Sequence, residues 1–206
     1  MELSAFQFLY NNIHDFKTTA MHVESEIRRH GIRSDSDDNV PTMQGRKHRE
    51  TWESMKTVSH YNLGVALELM LKLILHFNNK PIPRGKEGHF LAKLYDELPS
   101  EHQDHLESVF RTIRTALPPG RLTLIAFLRS ATPTRRPPPP NRDISSLRGF
   151  FEYLDEDLKW WEKRYSWEAV DEGSWCHYLS DICPFAEFIN RVMRQIKRPS
   201  ATGARE

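Results

Sequence analysis

The chain has 206 residues, enough for one domain with a substantial core, and its 38% hydrophobic and 28% charged residues are typical of a soluble helical protein. The longest apolar run, from Leu63 to Phe77, contains Glu68 and Lys72, which argues against a membrane span. The N-terminal residues lack signal-peptide features and only two Cys are present, so we expect a cytoplasmic protein without disulfides or membrane contact.

The net charge of +1 conceals blocks of opposite sign. Residues 111–149 contain eight Arg and one Asp, a net charge of +7, whereas residues 150–187 contain ten acidic and three basic residues, a net charge of −7. The remainder of the chain, from residue 188, carries +4. Such blocks either bind phosphate or pair with each other across neighbouring helices or subunits. We favour pairing, because the blocks cancel and no Lys/Arg run with interleaved aromatic residues indicates a nucleic-acid tract.

Hydrophobic periodicity predicts two long helices in the first third of the chain. Apolar residues at steps of three and four predict a helix over about residues 3–30. Residues 32–49 show no period and predict a mobile loop. The second predicted helix covers about residues 50–77 and is apolar on nearly every face from Leu63 onward, which indicates the central buried helix.

Two amphipathic helices are predicted next. Residues 89–98 place their apolar side chains on one face and predict a third helix. The fourth begins at Ser100, which has capping-box spacing to Gln103, and it ends before Pro118.

The rest of the chain predicts further helices around a proline-rich connection. Residues 122–128 form a short apolar segment that we predict to be helical, and residues 131–143 favour an extended polyproline conformation. That connection is either an SH3-type ligand or a stiff spacer, and we favour the spacer. Residues 147–165 predict a long amphipathic helix, and a heptad-like pattern predicts a last helix over residues 175–196, restarted at Pro184.

These elements predict an all-α fold, an antiparallel bundle of six or seven helices. No segment shows the two-residue period of a half-buried strand. We expect a single domain over residues 1–198 and a disordered tail over residues 199–206.

Glu68 and Lys72 are charged residues inside the most apolar helix. Their four-residue spacing favours an ion pair on one helix face. Because burying a charged pair costs desolvation of both groups, such a pair often has a structural or functional use, and we take both as candidate binding residues. The alternative is that both reach out along the helix edge, Lys72 by its aliphatic stem.

Metal ligands are the other chemistry that the sequence offers. His102 and His105 have a spacing that can bind metal on a helix, but no third ligand accompanies them. Cys176, His177 and Cys183 have no fourth ligand at a suitable distance along the chain. Since no Gly-rich phosphate loop or nucleophile elbow is present either, we expect no metal and no cofactor.

Two segments of the chain resemble a known family. VALELMLKLIL followed by GHFLAKLYDELP is similar to the HEPN domains (higher eukaryotes and prokaryotes nucleotide-binding), whose bacterial members often combine an apolar helix carrying Glu and Lys with a Gly-His-x-Leu-x-x-Leu-Tyr helix. LDEDLKWWEKRYSWE resembles their later aromatic Arg-Tyr-x-x-Glu helix, which makes Arg164 and Tyr165 candidate binding residues. The resemblance extends over residues 50–195 in helix order and is specific over residues 61–98. It implies a helical bundle that is frequently a homodimer.

Active members of that family are metal-independent ribonucleases with an Arg followed, after four to six residues, by a His. Arg84 and His89 have this spacing. Histidine can move a proton near neutral pH, and a guanidinium can hold the scissile phosphate through two hydrogen bonds. However, Gly85 follows the Arg where active members tend to have a polar residue, and His89 can equally cap a helix.

We therefore expect a HEPN-like module that is not catalytic and that acts by dimerisation and by binding nucleotide, RNA or a protein partner. The alternative is a metal-independent ribonuclease of a toxin-antitoxin or phage-defence system, with His89 as the proton carrier and Arg84 as the phosphate clamp.

Overall fold

The computed structural model describes residues 3–29, 43–117, 124–128, 145–156, 160, 175–179 and 181–196. These residues form six α-helices, one 3₁₀ turn and two short strands. In chain order the elements are α1 (Leu3–Arg29), α2 (Met43–Phe77), the 3₁₀ turn (Gly85–His89), α3 (Leu91–Asp96), α4 (Ser100–Ala116), β1 (Leu124–Leu128), α5 (Leu147–Glu156), β2 (Trp175–Leu179) and α6 (Cys183–Gln195). The predicted helical class is confirmed.

Helix α2 is the central element, as its sequence predicts. It contacts α1, α3, α6 and β2, and its residues from Leu63 to Leu75 include most of its fully buried side chains. By length and composition, Ser54–Phe77 also passes as a membrane-crossing helix, but 67% of its most apolar window is buried inside the protein. Burial of that kind is what a core helix requires.

Aromatic side chains join α4, α5 and α6 into one core. The rings of Phe150 and Phe185 stack with centroids 4.0 Å apart and planes 7° apart. Phe110 lies 6.0 Å from Phe150 and meets Phe188 edge-on at 6.3 Å. Burying each of these rings contributes about 1.5–3 kcal/mol, which fixes the C-terminal helix against the middle of the chain.

Two predicted helical segments are instead strands. β1 and β2 pair antiparallel, with Leu124 opposite Leu179 and Leu128 opposite Trp175. A short apolar run fits a buried helix or a buried strand equally well by its period, and β2 is rich in strand-forming aromatic residues. The helical prediction for residues 122–128 was therefore wrong for β1. The last predicted helix begins only at Cys183, where Pro184 occupies the first turn.

The predicted helix over residues 147–165 is also interrupted. Helix α5 ends at Glu156, and Trp160 lies in a turn. The backbone N–H of Trp160 donates to the carbonyl of Leu154 at 3.2 Å. A helix would have paired that N–H with residue 156. The chain turns here because the indole of Trp160 packs, 2% exposed, against Gly64 of α2.

Two further boundaries and one predicted cap differ from the sequence prediction. Helix α2 begins at Met43, so the end of the predicted loop is helical: Pro41 precedes this stretch, and its Gln, Arg, Lys and Glu residues favour a helix despite Gly45. His89 closes the 3₁₀ turn and does not open α3. Gln103 donates to the carbonyls that end α3, not to a capping box: Tyr95, Asp96 and Leu98.

Several predicted features fall outside the described residues. These are residues 32–42 of the predicted loop, the proline-rich connection over residues 131–143 and the tail over residues 199–206. Arg164 and Tyr165 also lie outside them.

Candidate functional site

Glu68 and Lys72 form the predicted pair on α2. The ammonium group of Lys72 donates to Oε1 of Glu68 one helical turn away. The Glu68 side chain is only 9% exposed and that of Lys72 is 20% exposed. The carboxylate is therefore taken out of water and compensated by a neighbouring cation, so the contact holds it in one orientation.

His89 completes a three-residue cluster with this pair. Its ring atom Nδ1 lies 3.2 Å from Oε2 of Glu68, so the two carboxylate oxygens meet two different donors. A carboxylate only accepts, so Nδ1 carries the proton, and in the neutral ring Nε2 bears the lone pair. The His89 side chain is 41% exposed, and no described residue hydrogen-bonds to Nε2. The cluster can therefore accept a proton at Nε2.

Two glycines shape the turn that brings His89 to Glu68. Gly85 has φ +65°, in the left-handed region that side chains rarely adopt. Gly88 is buried, and a Cβ atom there would lie 2.4 Å from the carbonyl oxygen of Pro83. Gly85 thus has a conformational role in this turn.

Arg84 lies immediately before the 3₁₀ turn and is exposed. Among the residues that the structure describes, no acidic group pairs with its guanidinium. Lys80 and Lys86 are exposed on the same segment, and Glu87 is its acidic residue, paired with Lys93 at 2.7 Å. The segment that leads to His89 therefore carries three exposed cations that no described acidic residue pairs with.

Asp155 anchors this site from α5, a role that the sequence analysis missed. Its carboxylate accepts the backbone N–H of Leu91 at 3.0 Å and of Ala92 at 2.9 Å, and the indole N–H of Trp160 at 3.1 Å. These bonds hold the first turn of α3, two residues after His89. Burial raises the pKa of Asp155 to about 6 despite the three donors. Its position four residues after Phe151, on the apolar face of α5, was the available signal.

The structure does not bring the other candidates into this cluster. His102 Nε2 lies 3.0 Å from Oδ1 of Asn78, and His105 Nε2 contacts Oε1 of Gln195, so both rings are engaged with amide oxygens. Within the described ranges, no group of three or more His, Cys, Asp or Glu residues is arranged to hold a metal ion. Cys183 is half-buried, and burial raises the pKa of its thiol to about 11.

Comparisons with known proteins identify no relative of this chain. No family model, curated protein or solved structure matches the chain.

Proposed function

We propose that this protein is a HEPN-like helical module that dimerises and binds the phosphate groups of RNA or a nucleotide at the turn carrying Arg84 and His89. The observation that carries the proposal is the exposed segment ending at the half-exposed His89, whose three cations no described acidic residue pairs with. Residues 80–89 contain three Lys or Arg and one Glu, and the Glu is paired elsewhere.

The chemistry of the turn suits a phosphate group. A guanidinium matches two phosphate oxygens through two parallel N–H donors, and such charge-assisted bonds are about twice as strong as neutral ones. Because the turn is fixed by Gly85, Gly88 and the Asp155 anchor, little ordering entropy is lost when an anion binds.

Binding of a labelled single-stranded RNA, measured by fluorescence anisotropy, tests this proposal. Arg84→Ala should weaken binding about tenfold, the loss of one charge-assisted contact, and should lower the slope of log affinity against log salt. Arg194→Ala is the matched control, an exposed Arg at the end of α6. Equal affinities for the wild type and Arg84→Ala exclude this turn as the site.

A second candidate, a metal-independent ribonuclease at the same turn, is favoured by the contact between Glu68 and His89. With Nδ1 engaged by Glu68, Nε2 can accept the proton of an RNA 2′-hydroxyl. The 2′-oxygen then forms a bond to phosphorus as the bond to the 5′-oxygen breaks, giving a 2′,3′-cyclic phosphate. The leaving oxygen takes a proton from water or from His89 of a second subunit.

A cleavage assay distinguishes a ribonuclease from a protein that only binds RNA. Mixed RNA is incubated in the presence of EDTA with the wild type or with His89→Ala, and RNA cutting by the two proteins is compared. Intact RNA, or equal cutting by both proteins, excludes the ribonuclease and leaves the binding proposal to the anisotropy measurement. Light scattering after size exclusion tests the dimer in the same samples: a monomeric mass contradicts it.

A further inference from the structure

A cleft of about 670 Å³ lies where the end of α2, the first half of α4 and the end of α6 meet. This volume is within the range of about 300–1,000 Å³ that small-molecule sites occupy. Its apolar lining consists of Ile74, Phe77, Leu106, Val192 and Ile196. The cleft is not lined by Arg84, His89, Glu68 or Lys72. A ligand bound there is therefore independent of the proposed phosphate site.

Two histidines at the rim of the cleft each have one ring nitrogen in contact with a side-chain amide oxygen. Nε2 of His102 lies 3.0 Å from the amide oxygen of Asn78, and Nε2 of His105 contacts the amide oxygen of Gln195. An amide oxygen only accepts, so both Nε2 atoms carry protons, and both Nδ1 atoms of the neutral rings are acceptors.

The two amide groups at the rim differ in what they still offer. The NH₂ group of Asn78 donates to the carbonyl of Ile74 at 2.8 Å. The NH₂ group of Gln195 meets no acceptor among the described residues, and the side chain is exposed. The rim therefore presents one amide donor together with the two ring acceptors.

We propose that this cleft binds an apolar alcohol or phenol. The ligand O–H donates to Nδ1 of His102, its oxygen accepts from the Gln195 amide, and its hydrocarbon body covers the apolar lining. A hydroxyl group satisfies both kinds of rim group at once, because it is a donor and an acceptor.

The charges at the rim disfavour ionic ligands. Among the described residues the lining contains no Lys or Arg, and Glu101 stands at the rim, so these residues would desolvate and repel a carboxylate. An ammonium group would gain little from Glu101, whose side chain is 80% exposed, and it would face the Gln195 donor.

Methyl NMR with 4-propylphenol, 4-propylbenzoate and 4-propylbenzylamine tests the assignment at pH 7.5. The phenol should shift the methyl signals of Ile74, Leu106, Val192 and Ile196, and it should bind about tenfold more tightly than either ionic analogue, a difference of one hydrogen-bonded group. Absent shifts, or equal or tighter binding of the benzoate or the amine, overturn the proposal.

Substitutions of two adjacent residues localise the binding. Gln195→Trp should fill the mouth and abolish the shifts, whereas Arg194→Trp, at an exposed neighbour that does not line the cleft, should keep them. Gln195→Leu leaves the cavity open but removes the amide donor, together with the amide oxygen that contacts His105, so it should weaken phenol binding about tenfold. Unchanged phenol affinity in both Gln195 variants overturns the proposal, and wild-type methyl signals elsewhere verify that each variant is folded.

Discussion

A Cβ atom on Gly64 would lie 2.2 Å from the indole ring of Trp160, closer than real side chains ever approach. Helix α2 therefore has a glycine at the position where the indole of Trp160, in the turn after α5, packs against the helix backbone. In an unobstructed helix, Gly→Ala would stabilise the protein by about 1 kcal/mol. We predict that Gly64→Ala instead lowers the free energy of unfolding by about 1–3 kcal/mol, measured by urea denaturation.

The same substitution in a Trp160→Leu background shows whether the ring is the cause. With the indole removed, Gly64→Ala should be neutral or stabilising by up to about 1 kcal/mol. If the loss is equal in both backgrounds, the contact between the two residues does not explain it.

Local patterns predicted the parts of this site that lie on one element. The Glu68–Lys72 pair follows from a four-residue spacing, and the central position of α2 follows from its apolar faces. The contact between His89 and Glu68 joins residues 21 positions apart and depends on a glycine turn, so hydrophobic periodicity could not predict it. The sequence did not predict the pairing of β1 with β2 either. Whether these two segments form strands or helices depends on a partner about 50 residues away in the chain.

The pH dependence of stability should report on Asp155. Burial raises its pKa to about 6 in the folded protein, against about 3.9 in an unfolded chain. The folded state therefore binds more protons between these values, and the contribution of Asp155 to stability rises as the pH falls from 6 to 4.

Comparison with Asp155→Asn isolates this contribution. The difference in unfolding free energy, wild type minus variant, should increase by up to about 3 kcal/mol between pH 6 and pH 4. An opposite slope would show that the three N–H donors, which favour the carboxylate, outweigh desolvation.

A second buried ion pair joins α1 to α2. Lys56 donates to both oxygens of Glu24 at 2.8 and 2.9 Å, and the two side chains are 3% and 2% exposed. Lys56→Met leaves the carboxylate buried without this cation and should lower the unfolding free energy by about 3–5 kcal/mol. Replacing both residues, as in Glu24→Leu with Lys56→Met, should cost much less. A double variant as unstable as the single one contradicts this account.

Gly88 provides the sharpest test of how the fold positions His89. A Cβ atom there would lie 2.4 Å from the Pro83 carbonyl oxygen, so Gly88→Ala must open the turn that holds the ring against Glu68. We expect the Nδ1–H signal of His89 to broaden or disappear in NMR spectra, and RNA affinity to fall as far as in His89→Ala. Gly85→Ala separates close packing from backbone strain: no atom lies within 4 Å of its Cβ, but its φ of +65° strains a side chain by about 1–2 kcal/mol, so it should weaken the ring signal and the affinity less than Gly88→Ala does. If Gly88→Ala keeps both the ring signal and the affinity, close packing at this glycine does not position His89.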